Sequence, residues 1–566
     1  MSIDISVMIG GEAGQGIQTV GELLARVCRK SGLYLMAIND FESRIRGGHS
    51  FFQVRISDRP VDAPHHDINL LLSLDKNSYE LHRKDLLDEG IAVMEKRNSI
   101  SGKNILAIPF LELAEKSGGK ITSNTVAAGA CLALLGAPFE IFREIVSETF
   151  AAKGETVIGK NLEAALAGYE AVKTFSYKFA FEWKPDKPRG ILSDGSRAIA
   201  LGALAGDCRF AAFYPMSPAT GIMAHLASVA NEFPLVVEQA EDEISAVNMI
   251  IGASFAGVRA MTATSGGGFC LMTEGLGLAG ITETPVVIVN AQRPGPATGL
   301  ATRTAQADLL FAINASQDEF PRFVFAPGSP AEAFETTVRA FHLAEKHQVP
   351  AIILTDQFLN DSLFIVERPF AVPENIERFI ACDNDMKNPS EYKRYAFTSS
   401  GISPRALPCA GKALVMVSGN EHKEDGHSTE SAETRTRMVN KRKAKLYGML
   451  SEMNPPGTYF PESEILLAGW GSTRGSVREA VDILRKDGIL AGCINFSDLW
   501  PFPADAVKKI LKACEKFYVV ELNSTAQLGR LIKEQTALSY SGTVLKYDGR
   551  PFYPFEIADG IKKQVR

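Results

Sequence analysis

Ile3, Ile5, Val7 and Ile9 fall on every second position, the period of a half-buried strand. The run ends in Gly10-Gly-Glu-Ala-Gly-Gln-Gly16. Ile17, Val20, Leu24, Val27 and Cys28 then recur at helical spacing up to Gly32, a C-terminal stop. Strand, glycine loop and helix open an α/β unit. Short apolar strands at residues 69–74 and 91–94 extend it, and one α/β domain is expected over residues 1–183. Lys184-Pro-Asp-Lys-Pro-Arg-Gly190 reads as a charged linker. A second α/β pattern covers 190–370, with strands beginning at Leu235, Pro285 and Ala351. Its helix over 331–346 places Phe334, Val338, Phe341 and Leu343 on one side. Residues 371–460 are polar and read as an irregular connecting segment. A third α/β unit over 461–566 carries strands at 464–471 and 517–521 around a helix at 476–485. Strands alternating with helices predict three α/β domains built on mainly parallel sheets.

A chain of 566 residues suffices for several cores. With 45% hydrophobic and 22% charged residues it is an ordinary globular composition, too apolar for a disordered chain. A net charge of −6 argues against a generally basic nucleic-acid or membrane-surface binder. The most apolar stretch, 126–139, is too short and glycine-bearing to span a bilayer and predicts a buried helix. Lys441-Arg-Lys-Ala-Lys445 lacks interleaved aromatics and predicts a solvated helix face rather than a nucleic-acid patch. The 8 cysteines are dispersed with no C-x-x-C pair, so neither a zinc ribbon nor a ferredoxin-type cluster can be built locally. Asp4 interrupts the first apolar residues and no basic n-region precedes them. A cytoplasmic location with free buried thiols is expected.

Gly11, Gly14 and Gly16 let backbone approach a phosphate at a helix N-terminus, but their order is not the G-x-G-x-x-G of dinucleotide folds. A phosphate-bearing ligand and a bare tight turn both stay open. Glu238, Glu241, Asp242 and Glu243 precede a helix rich in small residues. The acids either cap that helix through its dipole, or Glu243 enters it where Ala246 and Gly252 allow close packing against a backbone or a flat ring. Tyr214-Pro-Met-Ser-Pro-Ala-Thr220 is a proline-stiffened loop presenting the Ser217 and Thr220 hydroxyls. Thr264-Ser-Gly-Gly-Gly268 is a glycine turn without specific meaning by itself. The loop 290–308 follows the strongest strand, and ligands gather beyond the carboxyl ends of parallel strands. Arg293 and Arg303 there suit a carboxylate or phosphate, with arginines on a surface loop as the plainer alternative.

Taken together, YPMSPAT, EQAEDEISAVNMIIGASFAG, TSGGG and QRPGPATGLATRTAQADL resemble the alpha subunit of the thiamine diphosphate-dependent 2-oxoacid:ferredoxin oxidoreductases, closest to the 2-oxoglutarate synthase group. Gly401-Ile-Ser-Pro-Arg405 and SGNEHKEDGHSTE resemble the same subunit. Residues 1–183, with GGEAGQG and SRIRGGHSFFQVR, are similar to the family's gamma domain. The resemblance makes 190–370 a thiamine pyrimidine-binding domain and 461–566 a transketolase C-terminal-like domain. It implies oxidative decarboxylation of a 2-oxoacid with coenzyme A, giving acyl-CoA, carbon dioxide and reduced ferredoxin, and allows the reverse reaction. Glu243, with Gly252 nine residues on as the family pattern asks, is then the catalytic glutamate that hydrogen-bonds the aminopyrimidine of thiamine diphosphate. Tyr214 and Pro215 fall beside the cofactor, and Ser217 stands where relatives carry Thr in Y-P-I-T-P. Ser217, Thr220 and Arg303 are the implied substrate contacts, Arg303 lying where several relatives have Lys. Arg293 takes the place of an active-site arginine. For Gly11, Gly14 and Gly16 the helix N-terminus, with Arg44 and Arg46 in a nearby segment, suggests coenzyme A.

The chain has no G-D-G motif, which Gly206-Asp-Cys208 breaks, and its cysteines are not clustered. The resemblance therefore assigns Mg2+ and the iron–sulfur cluster to a separate beta subunit, with no metal in this chain, a ferredoxin acceptor and an (αβ)2 heterotetramer. Three other readings compete: a branched-chain 2-oxoacid oxidoreductase subunit, a nicotinamide-dependent dehydrogenase using Gly10–Gly16, and a non-catalytic assembly subunit.

Overall fold

Runs of Ile, Val and Leu form three sheets, and glycines and N-capping side chains set where the helices between them start. The computed structural model describes residues 3–42, 48–98, 100, 102, 104–173, 175, 179, 183, 186–385 and 388–565. The chain forms two compact units, Met1–Ser193 with Ser362–Pro369, and Asp194–Asp361 with Phe370–Arg566. Among the described residues, no helix is long and apolar enough to cross a membrane.

The first unit holds an eight-stranded sheet in the order Ile105–Ile108, Leu86–Glu95, Ile68–Ser73, Asp4–Glu12, His49–Ser57, Tyr34–Phe41, Leu363–Val366, Ile191–Ser193. It is mixed rather than parallel. Asp4–Glu12 runs parallel to Ile68–Ser73 but antiparallel to His49–Ser57, which is antiparallel to Tyr34–Phe41 as well. The cause is the short connection 42–48, because a parallel crossover needs a dozen or more residues. The outer two strands come from both ends of the stretch read as the second α/β pattern. The charged linker is also not free, although Lys184 and Pro185 lie outside the described residues. The Arg189 guanidinium donates to the Gly32 carbonyl at 2.8 Å, and the Asp186 amide to Ser31 O at 3.0 Å.

The second unit carries two sheets. Seven strands follow the order Asp498–Trp500, Phe323–Phe325, Ala351–Asp356, Val287–Gln292, Arg259–Thr264, Cys208–Phe213, Val236–Gln239, parallel except for the first. The five-stranded sheet runs Gly457–Tyr459, Ala491–Phe496, Ile465–Trp470, Lys516–Glu521, Gly542–Leu545, with only Gly457–Tyr459 antiparallel. A shared core joins them, with Ile250, Phe269 and Ile288 from one side and Trp470, Phe496 and Leu528 from the other.

The connecting segment contains a 20-residue helix, Ala432–Ser451, capped by the Ser431 side chain. Here the solvated basic face expected at 441–445 is overturned. Lys441, Arg442 and Lys445 share one face at i, i+1 and i+4 and are 4%, 3% and 1% exposed. Both ammonium groups contact the buried Glu283, each at 2.6 Å, and Arg442 binds Glu421 at 2.9 Å. Burial works to raise the Glu283 carboxyl, but the two ammonium charges overcome it and hold it well below its ordinary value. Burial also pulls the Lys445 ammonium down to about 7. Removing one member of such a set typically costs about 3–5 kcal/mol, so the basic residues fasten the segment to the core.

In the first unit, His49 Nε2 and His82 Nε2 lie 2.8 Å apart, so one ring must donate and the other accept. Burial and the His49 ring lower the His82 pKa from 6.5 to about 4. The unfolded chain therefore takes up a proton below pH 6.5 that the folded chain refuses until about pH 4. Stability is full above pH 6.5 and is lost as pH falls toward 4, by an amount on the order of 3 kcal/mol. Hydrogen exchange in strand Asp4–Glu12, measured between pH 7 and 4.5, should show this loss, and His82→Gln should flatten it.

Candidate functional site

The carboxyl ends of the parallel strands in the seven-stranded sheet deliver five segments to one edge. Phe213 leads into the loop 214–219, Gln239 into the helix Glu243–Phe255, Thr264 into the helix Gly266–Ile281, Gln292 into the loop 293–308, and Asp356 into the short helix Gln357–Asp361. Such an edge is where an open α/β sheet collects ligands.

The four acids before the glutamate helix separate by role. Asp242 is the N-cap, its carboxylate accepting from the Ser245 amide at 2.7 Å, and that bond lowers its pKa. Glu238 and Glu241 are exposed. Glu243 is 3% exposed, and its Oε1 has no hydrogen-bond partner among the described residues. Asp242 does the capping, so Glu243 is free for something else. Gly268 passes against it, where a Cβ would stand 2.6 Å from Glu243 Oε1. Gly252 faces open space, since a Cβ there would meet nothing within 4 Å. The glutamate helix is apolar nearly all round and leaves Ile244 48% and Met249 40% exposed; the neighbouring Leu271 is 50% exposed.

Two side chains from other strand ends hold the loop 214–219. Arg293 Nη1 donates to the Ser217 carbonyl at 2.7 Å, while its Nε is buried without a partner among the described residues. Burial lowers the pKa of this guanidinium. Asn360, 1% exposed, donates from Nδ2 to the Pro218 carbonyl at 3.1 Å. The Thr355 hydroxyl donates to Asn360 Oδ1 at 2.8 Å and so fixes which way the amide points. Ser217 is exposed, Thr220 half-buried at the start of the helix Thr220–Val229, and Tyr214 and Pro215 exposed. Met216 turns inward, its sulfur 3.8 Å from the Thr264 hydroxyl. Asn290 donates to Asp308 Oδ2 at 3.1 Å, and burial raises the Asp308 carboxyl.

The structure thus brings Glu243, Arg293, Ser217, Thr220, Tyr214 and Pro215 to one sheet edge. Arg303 lies farther along the loop 293–308, beside Gly549 of the third α/β unit. Its Cβ stands 3.1 Å from where Gly549 would carry a Cβ, and the loop is tied to the third sheet through Gln306, which donates to the Trp470 carbonyl at 2.7 Å. The Gly10–Gly16 loop belongs to the other unit. Gly10 and Gly11 are strand residues opposite Phe51 and Ser50, so the loop is shorter than the sequence suggests. Gly14 and Gly16 have φ of 96° and 78°, which accounts for glycine there, and no side chain caps the helix that follows. Arg44 and Arg46 lie outside the described residues. Sequence reasoning passed over Asn360, placed Thr264, Asn290 and Asp308 within motifs without giving them a role, and read Gly268 only as part of a turn. Among the described residues, no group of three or more His, Cys, Asp or Glu side chains is placed to hold a metal ion.

Three family models match successive parts of the chain. Residues 201–441 match pyruvate flavodoxin/ferredoxin oxidoreductase, thiamine diphosphate-binding; residues 6–171 match pyruvate ferredoxin/flavodoxin oxidoreductase; residues 463–557 match pyruvate:ferredoxin oxidoreductase core domain II. The alpha subunit of a 2-oxoacid:ferredoxin oxidoreductase of Saccharolobus solfataricus is 32% identical, over 99% of this chain and 98% of that one. The 2-oxoglutarate synthase subunit KorA of Methanothermobacter thermautotrophicus is 32% identical over 66% of this chain and 98% of its own length. Among solved structures, the 2-oxoglutarate:ferredoxin oxidoreductase of Magnetococcus marinus, with 2-oxoglutarate, coenzyme A and succinyl-CoA bound, superposes with a TM-score of 0.92 at 30% identity, covering 100% of both chains.

Asn360→Leu keeps the size of the side chain but strands the Pro218 carbonyl and the Thr355 hydroxyl. A cost of about 1–3 kcal/mol per stranded group is expected. It should be read as a lower thermal midpoint together with faster proteolysis within 214–220.

Proposed function

The chain belongs to the 2-oxoacid:ferredoxin oxidoreductase family as an alpha-type subunit, and from that premise we propose that it serves the oxidative decarboxylation of 2-oxoglutarate, with coenzyme A and ferredoxin as the other reactants. The observation that carries this reading is the buried, unpartnered Oε1 of Glu243. A buried carboxyl without a hydrogen-bond partner is unfavourable, and a ring nitrogen of an aminopyrimidine would share a proton with it. When bound, thiamine diphosphate supplies the carbon that stabilises the carbanion of decarboxylation. Glu243 would hold the ring nitrogen through that shared proton and so set which tautomer of the ring prevails. Tyr214 and Pro215 flank the ring, and the Ser217 and Thr220 hydroxyls contact the substrate.

Arg293 keeps its Nε free after binding the Ser217 carbonyl, which suits pairing with the carboxylate at the reacting end of a 2-oxoacid. Arg303 takes the distal carboxylate. Gly11, Gly14 and Gly16 give coenzyme A a close approach to an uncapped helix N-terminus. The nicotinamide reading loses its ground with the family assignment. Branched-chain 2-oxoacids are the second reading, favoured by the packing of Arg303 beside Gly549, away from the clamped loop.

Ile244 and Met249 on the glutamate helix, Leu271 on the helix that packs against it, and Phe233 and Val236 at the sheet edge are exposed apolar residues that suit a second chain. We assign that chain the beta role, bringing Mg2+, the diphosphate contacts and an iron–sulfur cluster that passes electrons to ferredoxin, in an (αβ)2 assembly. All eight cysteines are free, which suits a reducing compartment such as the cytoplasm, although Cys270, Cys382 and Cys409 are exposed rather than buried.

The test is reconstitution with a beta-type partner, followed by a panel of 2-oxoacids. Glu243→Gln is nearly isosteric but cannot carry the charge, and turnover should fall about 10²–10⁴-fold while the thermal midpoint holds. Unchanged turnover would remove Glu243 from the mechanism.

Arg303→Ala separates the two substrate readings. Loss of a charged hydrogen-bond partner typically costs about 1.5–3 kcal/mol, so KM for 2-oxoglutarate should rise about ten- to a hundred-fold, with 2-oxoisovalerate little changed. Equal losses for both acids would take Arg303 out of substrate selection.

A further inference from the structure

The three glycines that open the helix Gly266–Ile281 are not equivalent. None has a positive φ, so none is needed for backbone conformation. Glycine inside a helix is less favourable than alanine, so each calls for another reason. At Gly267 there is none within this chain, since a Cβ would meet only the Ala297 carbonyl, at 3.9 Å. At Gly266 a Cβ would press on Asp308 Oδ2 at 2.4 Å. At Gly268 it would stand 2.1 Å from Thr264 Oγ1, 2.6 Å from Glu243 Oε1 and 2.8 Å from Glu243 Cγ. Contacts under 3.0 Å cannot be kept, so something there has to move.

The groups around Gly268 have little freedom. Thr264 is 0% exposed and β-branched, which restricts the turning of its side chain. The Glu243 backbone is fixed at the first turn of its helix by the Asp242 cap. The Glu243 carboxyl has no hydrogen bond to hold Oε1 in place, so it is the group that yields. Its position is set by shape alone, between the bare Cα of Gly268 and the Thr264 side chain.

We infer that Gly268 is a positioning residue for the reaction: by lacking a side chain it leaves the Glu243 carboxyl the space from which it meets its ligand. This rests on the reading of Glu243 given above. One methyl group at position 268 then acts as a lesion of Glu243 without changing Glu243.

The experiment compares Gly267→Ala, Gly268→Ala, Glu243→Asp and the double variant Gly268→Ala/Glu243→Asp in the assembled complex. Readouts are kcat, KM, the pH profile of kcat and thiamine diphosphate affinity of the cofactor-free complex. Gly267→Ala makes the same chemical change one residue away and should stay within twofold of wild type. Gly268→Ala should lower kcat at least tenfold, shift the acid limb of the pH profile and weaken thiamine diphosphate binding. KM for the 2-oxoacid should change less than kcat. Shortening the acid by one methylene relieves the overlap of the new methyl group with the Glu243 carboxyl, though not that with Thr264, so Gly268→Ala should cost less in the Glu243→Asp background than in the wild type.

Additive losses in the double variant, or wild-type kcat and pH profile in a folded Gly268→Ala complex while Glu243→Gln is impaired, would overturn the role of Gly268 and leave that of Glu243 standing. Wild-type turnover by Glu243→Gln would overturn both. Should Gly268→Ala fail to assemble, Thr264→Ala/Gly268→Ala removes the shortest overlap. That variant should regain assembly but not rate, and recovery of both would show that Gly268 serves packing alone.

Discussion

A carboxylate placed inside a protein must find a partner or give up its charge, and the second unit handles two such groups in opposite ways. Glu283 is enclosed by two ammonium groups. Glu243 is equally enclosed by atoms and is given no donor for Oε1. The surrounding residues are arranged so that it stays unpaired. Asp242 performs the capping that Glu243 would otherwise do, Gly268 leaves it room, and the helix behind it packs on buried Ala246, Val247 and Ile250.

The paired glutamate explains the long segment between the second and third α/β patterns. Polar sequence there suggested a loose connection, and its basic run a wet surface. Three of those charges are instead buried, Lys441 and Lys445 on Glu283 and Arg442 on Glu421, which the half-exposed Arg435 also binds. The SGNEH stretch is anchored by the same set through Glu421, and the neighbouring His422 is fully buried, its ring tilted against Tyr395 with centroids 4.0 Å apart. These ions stabilise the native arrangement chiefly because breaking any one strands the others.

At the sheet edge the chemistry is assembled from strand ends that are remote in sequence. Arg293 and Asn360 bind successive carbonyls of the loop 214–219, so the Ser217 hydroxyl is presented on a backbone fixed from two directions. The glycines of the first unit work differently, because Gly14 and Gly16 are chosen for φ and Gly268 for space. One residue type answers two separate physical demands, and only coordinates tell them apart.

Much of this was legible in the sequence by itself. Periodicity located the strands at 4–12, 287–292 and 465–470 and the helix at 330–347 to within a few residues, because burial on one face imposes a repeat that local sequence must carry. The set of motifs identified the family, and the family's glutamate–glycine pattern pointed to Glu243 among four neighbouring acids, the one of them that lies buried. Tertiary structure alone decided which charges are buried, since a lysine facing Glu283 and a lysine facing water are written identically. It also decided that the first sheet is mixed, that Arg303 lies against Gly549, that Asn360 binds the Pro218 carbonyl, and that Gly268 lies against Glu243. Partnership, clearance and the state of a buried charge are properties of distance in space, and a linear sequence records distance only along the chain.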